Sequence, residues 1–220
     1  MKKVLILGVL ALSCAFGHMV YGAQPFLSQE ATQVVENQAL KNHVRLTYPI
    51  WQGGTPLSRA RVNSGIEAEL YQFYREVDQI PDSEWGPAKG YAGWYVGAQD
   101  TDVLSFVLVE SVMMPKAAHP MHRAVGLTFD EKGNKITYHD ILKVLPPKSS
   151  EDIQALITKE AQKEGIYLFS DEVAKIRTWP KNFYIGKDRG IYFIFQTYEI
   201  APYAAGWIAI RGGTMNSDSK

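Results

Sequence analysis

Cysteine is almost absent from this chain of 220 residues, and Cys14 is the only one. No disulfide can form within the chain and no thiolate metal site can be assembled. The single thiol also falls in a segment that reads as a removable export signal. Basic blocks are missing as well. Lysine plus arginine number 23 against 23 acidic residues, for a formal charge of zero, and this balance argues against a nucleic-acid partner. There is no Gly-x-Ser-x-Gly elbow, no P-loop and no dinucleotide glycine fingerprint, and neither a repeat nor a low-complexity tract occurs. These absences leave no recognisable catalytic constellation and point to no cofactor.

What is present is an interior. The chain is 46% hydrophobic and 12% aromatic with 21% charged residues, enough to build one self-sufficient core in a domain of ordinary size. At the N-terminus, Lys2 and Lys3 precede an apolar run over residues 4–16. Val20-Tyr21-Gly22 then offers tolerated residues for a signal peptidase. The expectation is a signal peptide over residues 1–22, cleaved after Gly22, and an exported product in the periplasm or outside the cell. Two alternatives stand beside it. Residues 4–23 are just long enough for an uncleaved anchor, which would be the only membrane contact, although Ser13, Gly17 and His18 weaken it. A lipoprotein reading would use Cys14, but Leu12 stands at −2 rather than −3 of a lipobox.

Residues 23–41 are polar and read as a leader. Residues 43–48 alternate with period two as a half-buried strand ended by Pro49, and Gly53-Gly54-Thr55-Pro56 makes a turn. A helix starts near Ser58, with Val62, Ile66, Leu70, Phe73, Tyr74, Val77 and Ile80 on one face and Pro81 as its stop. Residues 82–93 read as a loop. Residues 95–98 and 103–113 read as strands, and residues 123–129 and 135–138 as a hairpin around a charged turn. Residues 140–145 read as a helical turn. A second helix opens at Ser149-Ser150-Glu151-Asp152 with a capping box and ends at Gly165. Residues 179–185 lead into a further strand. The order of elements predicts an α+β domain over residues 42–212, a mostly antiparallel sheet with two main helices packed on one side, followed by a disordered tail over 213–220.

The stretch from residue 190 to 210 organises the rest. Ile191-Tyr192-Phe193-Ile194-Phe195 is too continuous for a strand with a wet face and reads as a buried central strand, and Trp207-Ile208-Ala209-Ile210 resumes the pattern. Between them, Tyr198-Glu199-Ile200-Ala201-Pro202-Tyr203-Ala204-Ala205-Gly206 forms a shaped corner. This segment resembles the YEIAPYAxG signature of a secreted bacterial domain-of-unknown-function family. That family includes the extracytoplasmic domain of the lysozyme-sensing anti-sigma factor RsiV and the non-catalytic part of the peptidoglycan deacetylase PdaC. Tyr48-Pro49 before the helix bearing Asn63 and Ile66 is similar to a YP…IN pattern of the same family, so the resemblance spans residues 43–211. It implies an RsiV-like domain with an N-terminal half over about 42–115 and a C-terminal half over about 116–212, and a role in binding. Neither the anti-sigma nor the deacetylase activity is implied. Only a three-residue stub precedes the hydrophobic segment, and the deacetylase metal motifs are absent.

The corner supplies the candidate binding residues Tyr198, Glu199, Pro202 and Tyr203. A buried Glu199 could act as an acid or base, but a carboxylate at a corner also serves as a latch for free backbone N–H groups. Met113-Met114-Pro115-Lys116-Ala117-Ala118-His119-Pro120-Met121-His122 carries thioether and imidazole groups suited to Cu(I), so His119, Met121 and His122 form an alternative metal set. The plainer reading makes His119 a turn histidine, and the family has a similar GAHP-like turn here. His139 beside Asp140 could form an oriented base, with no serine elbow to serve. Trp51, Trp85, Tyr91, Trp94 and Trp179 lie beside glycine or proline and could present aromatic faces to a sugar or protein, or else cover the core edges. The resulting expectation is a non-enzymatic envelope module binding a lysozyme-like protein or a peptidoglycan-type glycan, with Trp94 and His119 completing its site. Two alternatives remain, a small wall-modifying hydrolase using Glu199 and a histidine, and a copper-binding periplasmic protein.

Overall fold

In the computed structural model, residues 27–28 and 32–215 are described; the expected signal segment and residues 216–220 of the tail lie outside them. Two sheets stack between helices. The first has five strands in the order β1(Val34–Lys41), β2(Val44–Trp51), β3(Lys89–Gln99), β4(Val103–Met113), β5(Met121–Asp130). All its neighbours run antiparallel except β2 and β3, which are parallel. The second has three antiparallel strands, β6(Phe183–Ile185), β7(Gly190–Phe195) and β8(Ile208–Thr214).

Helix α1(Pro56–Asp78) covers the outer face of the five-stranded sheet. It begins where the sequence makes beginning cheap. Thr55 caps it by accepting a hydrogen bond from the Ser58 N–H, and Pro56 has no N–H to leave unsatisfied. Val62, Ile66, Leu70, Phe73 and Val77 then bury against Leu104, Phe106 and Leu108 of β4 and Leu127 and Phe129 of β5. The period-two alternation of β4 sends Val107 the other way, into a smaller inter-sheet core with Tyr184, Tyr192, Ile194 and Trp207. On the far side of the second sheet, Ile191, Phe193 and Phe195 meet α2(Tyr138–Val144) and α3(Ser150–Lys163) through Ile141, Ile153 and Ile157. A short α4(Ser170–Val173) adds Val173 to the same core.

Where the sheets touch, glycine permits the approach. A Cβ added to Gly126 would fall inside the contact radius of the Phe183 carbonyl oxygen, and one on Gly97 would do the same to that of Ile185. The Ile185 N–H also donates to Ser105 Oγ of β4 at 3.0 Å, so β6 is hydrogen-bonded to the sheet it crosses. A second clasp joins the hairpin turns. The Arg189 guanidinium, on a residue with φ of 60°, grips Asp102 at 2.8 Å and Asp100 at 2.8 Å.

The α+β class and the mostly antiparallel pairing stand as expected. The arrangement differs in detail, because two sheets share the strands and each main helix packs on one face of its own sheet. Residues 34–41, expected within a polar leader, form edge strand β1; an edge strand with one open face needs few large apolar residues. Gly213 and Thr214, expected in the tail, end β8, paired with Ile191 and Gly190. Strand β3 begins at Lys89, inside the expected loop. The strand expected over 135–138 shrinks to one bridge between Lys135 and Phe129, because Thr137 caps α2 through a capping box with Asp140. Among the described residues, no helix is long and apolar enough to cross a membrane.

Candidate binding surface

Strand β7 ends at Phe195, and the chain must turn before it can return as β8. Tyr198 takes φ of 69°, the Glu199 N–H donates to the Gln196 carbonyl at 3.0 Å, and the Glu199 carboxylate accepts the Gln196 N–H at 2.7 Å. Glu199 is exposed, so the burial on which an acid–base role depended is missing and the carboxylate serves the turn. Ile200 and Ala201 plunge into the core, which leaves the corner anchored from within. Pro202 leads into a single 3-10 turn, Tyr203–Ala205, and Gly206 takes φ of 66° before buried Trp207.

Onto this corner the β4–β5 connection folds back. The Tyr203 hydroxyl donates to the Pro120 carbonyl at 2.8 Å, and the same oxygen faces His119 Nδ1 at 3.2 Å. A carbonyl can only accept, so the proton of a neutral His119 sits on Nδ1 and its Nε2 is left bare. The His119 ring stacks on Tyr203 with centroids 3.7 Å apart; His122 follows at 6.0 Å and Tyr198 at 5.7 Å. His122 Nδ1 is paired with Ser111 Oγ at 2.7 Å. Burial, and then the neighbouring His119, hold the His122 imidazole below its ordinary pKa, while burial raises that of the Tyr203 phenol. Tyr198 stays exposed beside the stack, Met114 and Met121 are exposed as well, and Lys116 of the β4–β5 connection lies over the ring of Trp85, which is 57% exposed.

Two segments about 80 residues apart in sequence thus form one aromatic and imidazole surface. It contains Tyr198, Tyr203, His119 and His122, with Glu199 and Pro202 of the same corner; Met121, expected as part of a metal set with the two histidines, alternates to the α1 face of β5 with Arg123 and Val125, away from His122. The surface does not contain Trp94, which is 8% exposed beneath α1, packs edge-on to Phe106 and donates its indole N–H to Glu36. Trp179 is equally a core residue, stacked on Phe193 at 4.6 Å. His139 gains no base partner, because the Asp140 carboxylate accepts from Thr137 and pairs with Lys143; these bonds hold it well below the usual carboxylate range. Among the described residues, no group of three or more His, Cys, Asp or Glu side chains is placed to hold a metal ion.

Strand β5, the open edge of its sheet, is sealed by two amides that the sequence did not flag. Gln196 accepts from the Ala124 N–H at 2.9 Å and donates to the Ala124 carbonyl at 2.8 Å. Asn182 donates to that carbonyl at 2.6 Å and accepts from the Gly126 N–H at 2.8 Å. A second unexpected feature is Glu110, 1% exposed on the α1 face of β4. Arg123 pairs with it at 2.6 Å and with Glu76 at 2.9 Å. Burial outweighs the Arg123 attraction and pushes the Glu110 carboxyl up to about 7. Its signal was present, because Glu110 shares the register of Leu104, Phe106 and Leu108.

Residues 139–211 match the sequence profile of DUF3298, described as a protein of unknown function. The match runs from α2 through most of β8 and so takes in the corner, but not the β4–β5 connection that packs on it. A crystal structure of a DUF3298 family protein from Pseudomonas aeruginosa superposes with a TM-score of 0.53 at 13% identity, over 82% of this chain and 88% of that one. A DUF3298 family member from Bacteroides fragilis gives 0.46 at 16% identity, over 87% and 90%. The first likeness extends the shared fold well beyond the profile match. No curated protein matches the chain.

Proposed function

We propose that this protein is a non-enzymatic module of the bacterial envelope, exported by its N-terminal segment, that binds a protein or a peptidoglycan-type glycan through the corner and the β4–β5 connection. The observation that carries the proposal is the stack of His119 on Tyr203 at 3.7 Å, with the exposed ring of Tyr198 5.7 Å from the same tyrosine. Rigid aromatic faces with little conformational entropy to lose suit both sugar stacking and protein contact. The likeness of the corner to the RsiV and PdaC signature favours a wall-associated ligand. Glu199, bonded to its own turn, shapes the surface and does not work on a substrate.

The test is a thermal-shift and pull-down series on the purified protein with lysozyme, soluble muropeptides and Cu(I). A rise in melting temperature with lysozyme or muropeptide that is lost in Tyr198→Ala supports the reading. A rise with copper alone, lost in His119→Ala, would replace it with metal handling. No response to any of the three would reject this choice of ligands.

A further inference from the structure

Beside the sealed edge of β5 lies a cleft of about 530 Å³, within the range of small-ligand sites. Its floor is β5 at Ala124, Val125 and Gly126, where Asn182 and Gln196 already occupy the backbone groups of Ala124 and Gly126 named above. An added strand therefore cannot pair there, and an occupant must be held by side chains.

Those side chains are unevenly charged. Lys135 and Lys181 both line the cleft, both are exposed, and neither has an ion-pair partner among the described residues. Arg123 also reaches the cleft, but Glu110 and Glu76 already balance it. The lining holds one carboxylate, Glu69 of α1. Between the charges, Val125, Ile136 and Phe183 line the cleft with apolar surface.

From this geometry we propose that the cleft binds a short peptide with a free carboxylate. The carboxylate lies against Lys135 and Lys181, the apolar body lies on the floor, and the amino end points toward Glu69. Two uncompensated ammonium groups lining one cleft attract a carboxylate more strongly than either would alone. The inference does not rest on the corner surface being a binding site. Its test reads different residues, so either can fail alone.

Backbone NMR titration of the full protein with tri-alanine is the measurement. Weak, saturable binding is expected, with shifts at residues 123–126, 135–137 and 181–183. The carboxyl-terminal amide of tri-alanine should bind about tenfold more weakly, as should the acid to the double variant Lys135→Gln/Lys181→Gln. Both lysines are exposed, so an unchanged spectrum elsewhere verifies that the variant is folded. Equal binding of acid and amide, an equal response to inorganic phosphate, or undiminished binding by the double variant would each overturn the proposal. So would an absence of shifts in those three segments.

Discussion

The Tyr203 hydroxyl donates to the Pro120 carbonyl at 2.8 Å across 83 residues of sequence, and this bond fixes the corner to the β4–β5 connection. Tyr203→Phe keeps the ring on His119 and removes only the donor, so it should cost about 1 kcal/mol. Tyr203→Ala removes the stack as well and should cost roughly 2–3 kcal/mol more, by the usual scale for losing a large side chain that is only partly buried. Urea denaturation separates the two. Hydrogen exchange adds the local readout, with residues 114–120 losing protection in the alanine variant and largely keeping it in the phenylalanine one.

How much of this was legible beforehand follows from which forces are local. The α1 face, the capping box at Ser149 and the buried run of β7 are periodic or short-range, and residue types alone are enough to read them; the capping box at Thr137 is just as local, but the strand-like pattern over 135–138 masks it. Dividing the strands between two sheets was not legible, because β6 and β7 look equally apolar whether one sheet or two receives them. The meeting of His119 with Tyr203 was hidden for the same reason. Each segment carried a signal, but their contact depends on the register of β4 with β5 and on where β7 ends. Asn182 and Gln196 gave no signal at all, since an amide that seals a strand edge looks like any surface amide.

The close approach of the two sheets gives a sharp contrast among glycines. Gly126→Ala places a methyl against the Phe183 carbonyl, where backbone must move, and should destabilise by about 3 kcal/mol. Gly93→Ala meets nothing within 4 Å and should lie within about 0.5 kcal/mol of the parent. Thermal melts of the pair are sufficient. Equal effects would mean that the sheets are not in contact at Gly126.

Glu110 predicts a pH dependence with a definite sign. Its carboxyl titrates at about 7 in the folded protein against an ordinary 4.5, so the folded state holds a proton that the unfolded state has released between those values. Stability contributed by this group is therefore full below about pH 4.5 and declines as pH rises through 7, by up to about 3 kcal/mol. Glu110→Gln cannot titrate. The difference in unfolding free energy, parent minus variant, should fall between pH 5 and 8, and a flat difference would show that Arg123 compensates the buried charge in full.

Asn182 uses both ends of its amide, donating to the Ala124 carbonyl and accepting from the Gly126 N–H. Asn182→Asp is nearly isosteric but turns the donating end into a second acceptor facing a carbonyl oxygen. The variant must then bury electrostatic repulsion or carry a proton. It should lose about 2 kcal/mol at neutral pH and recover part of this below about pH 5, where the carboxylic acid can donate again. Asn182→Ala should lose a similar amount with no recovery at low pH. It should also leave the Gly126 N–H unpaired on an edge strand, and that strand then becomes a template for association. Sedimentation at two concentrations tests this point: self-association in Asn182→Ala that is absent from the parent is the expected result. A monomeric alanine variant of unchanged stability would mean that the amide does not seal the edge.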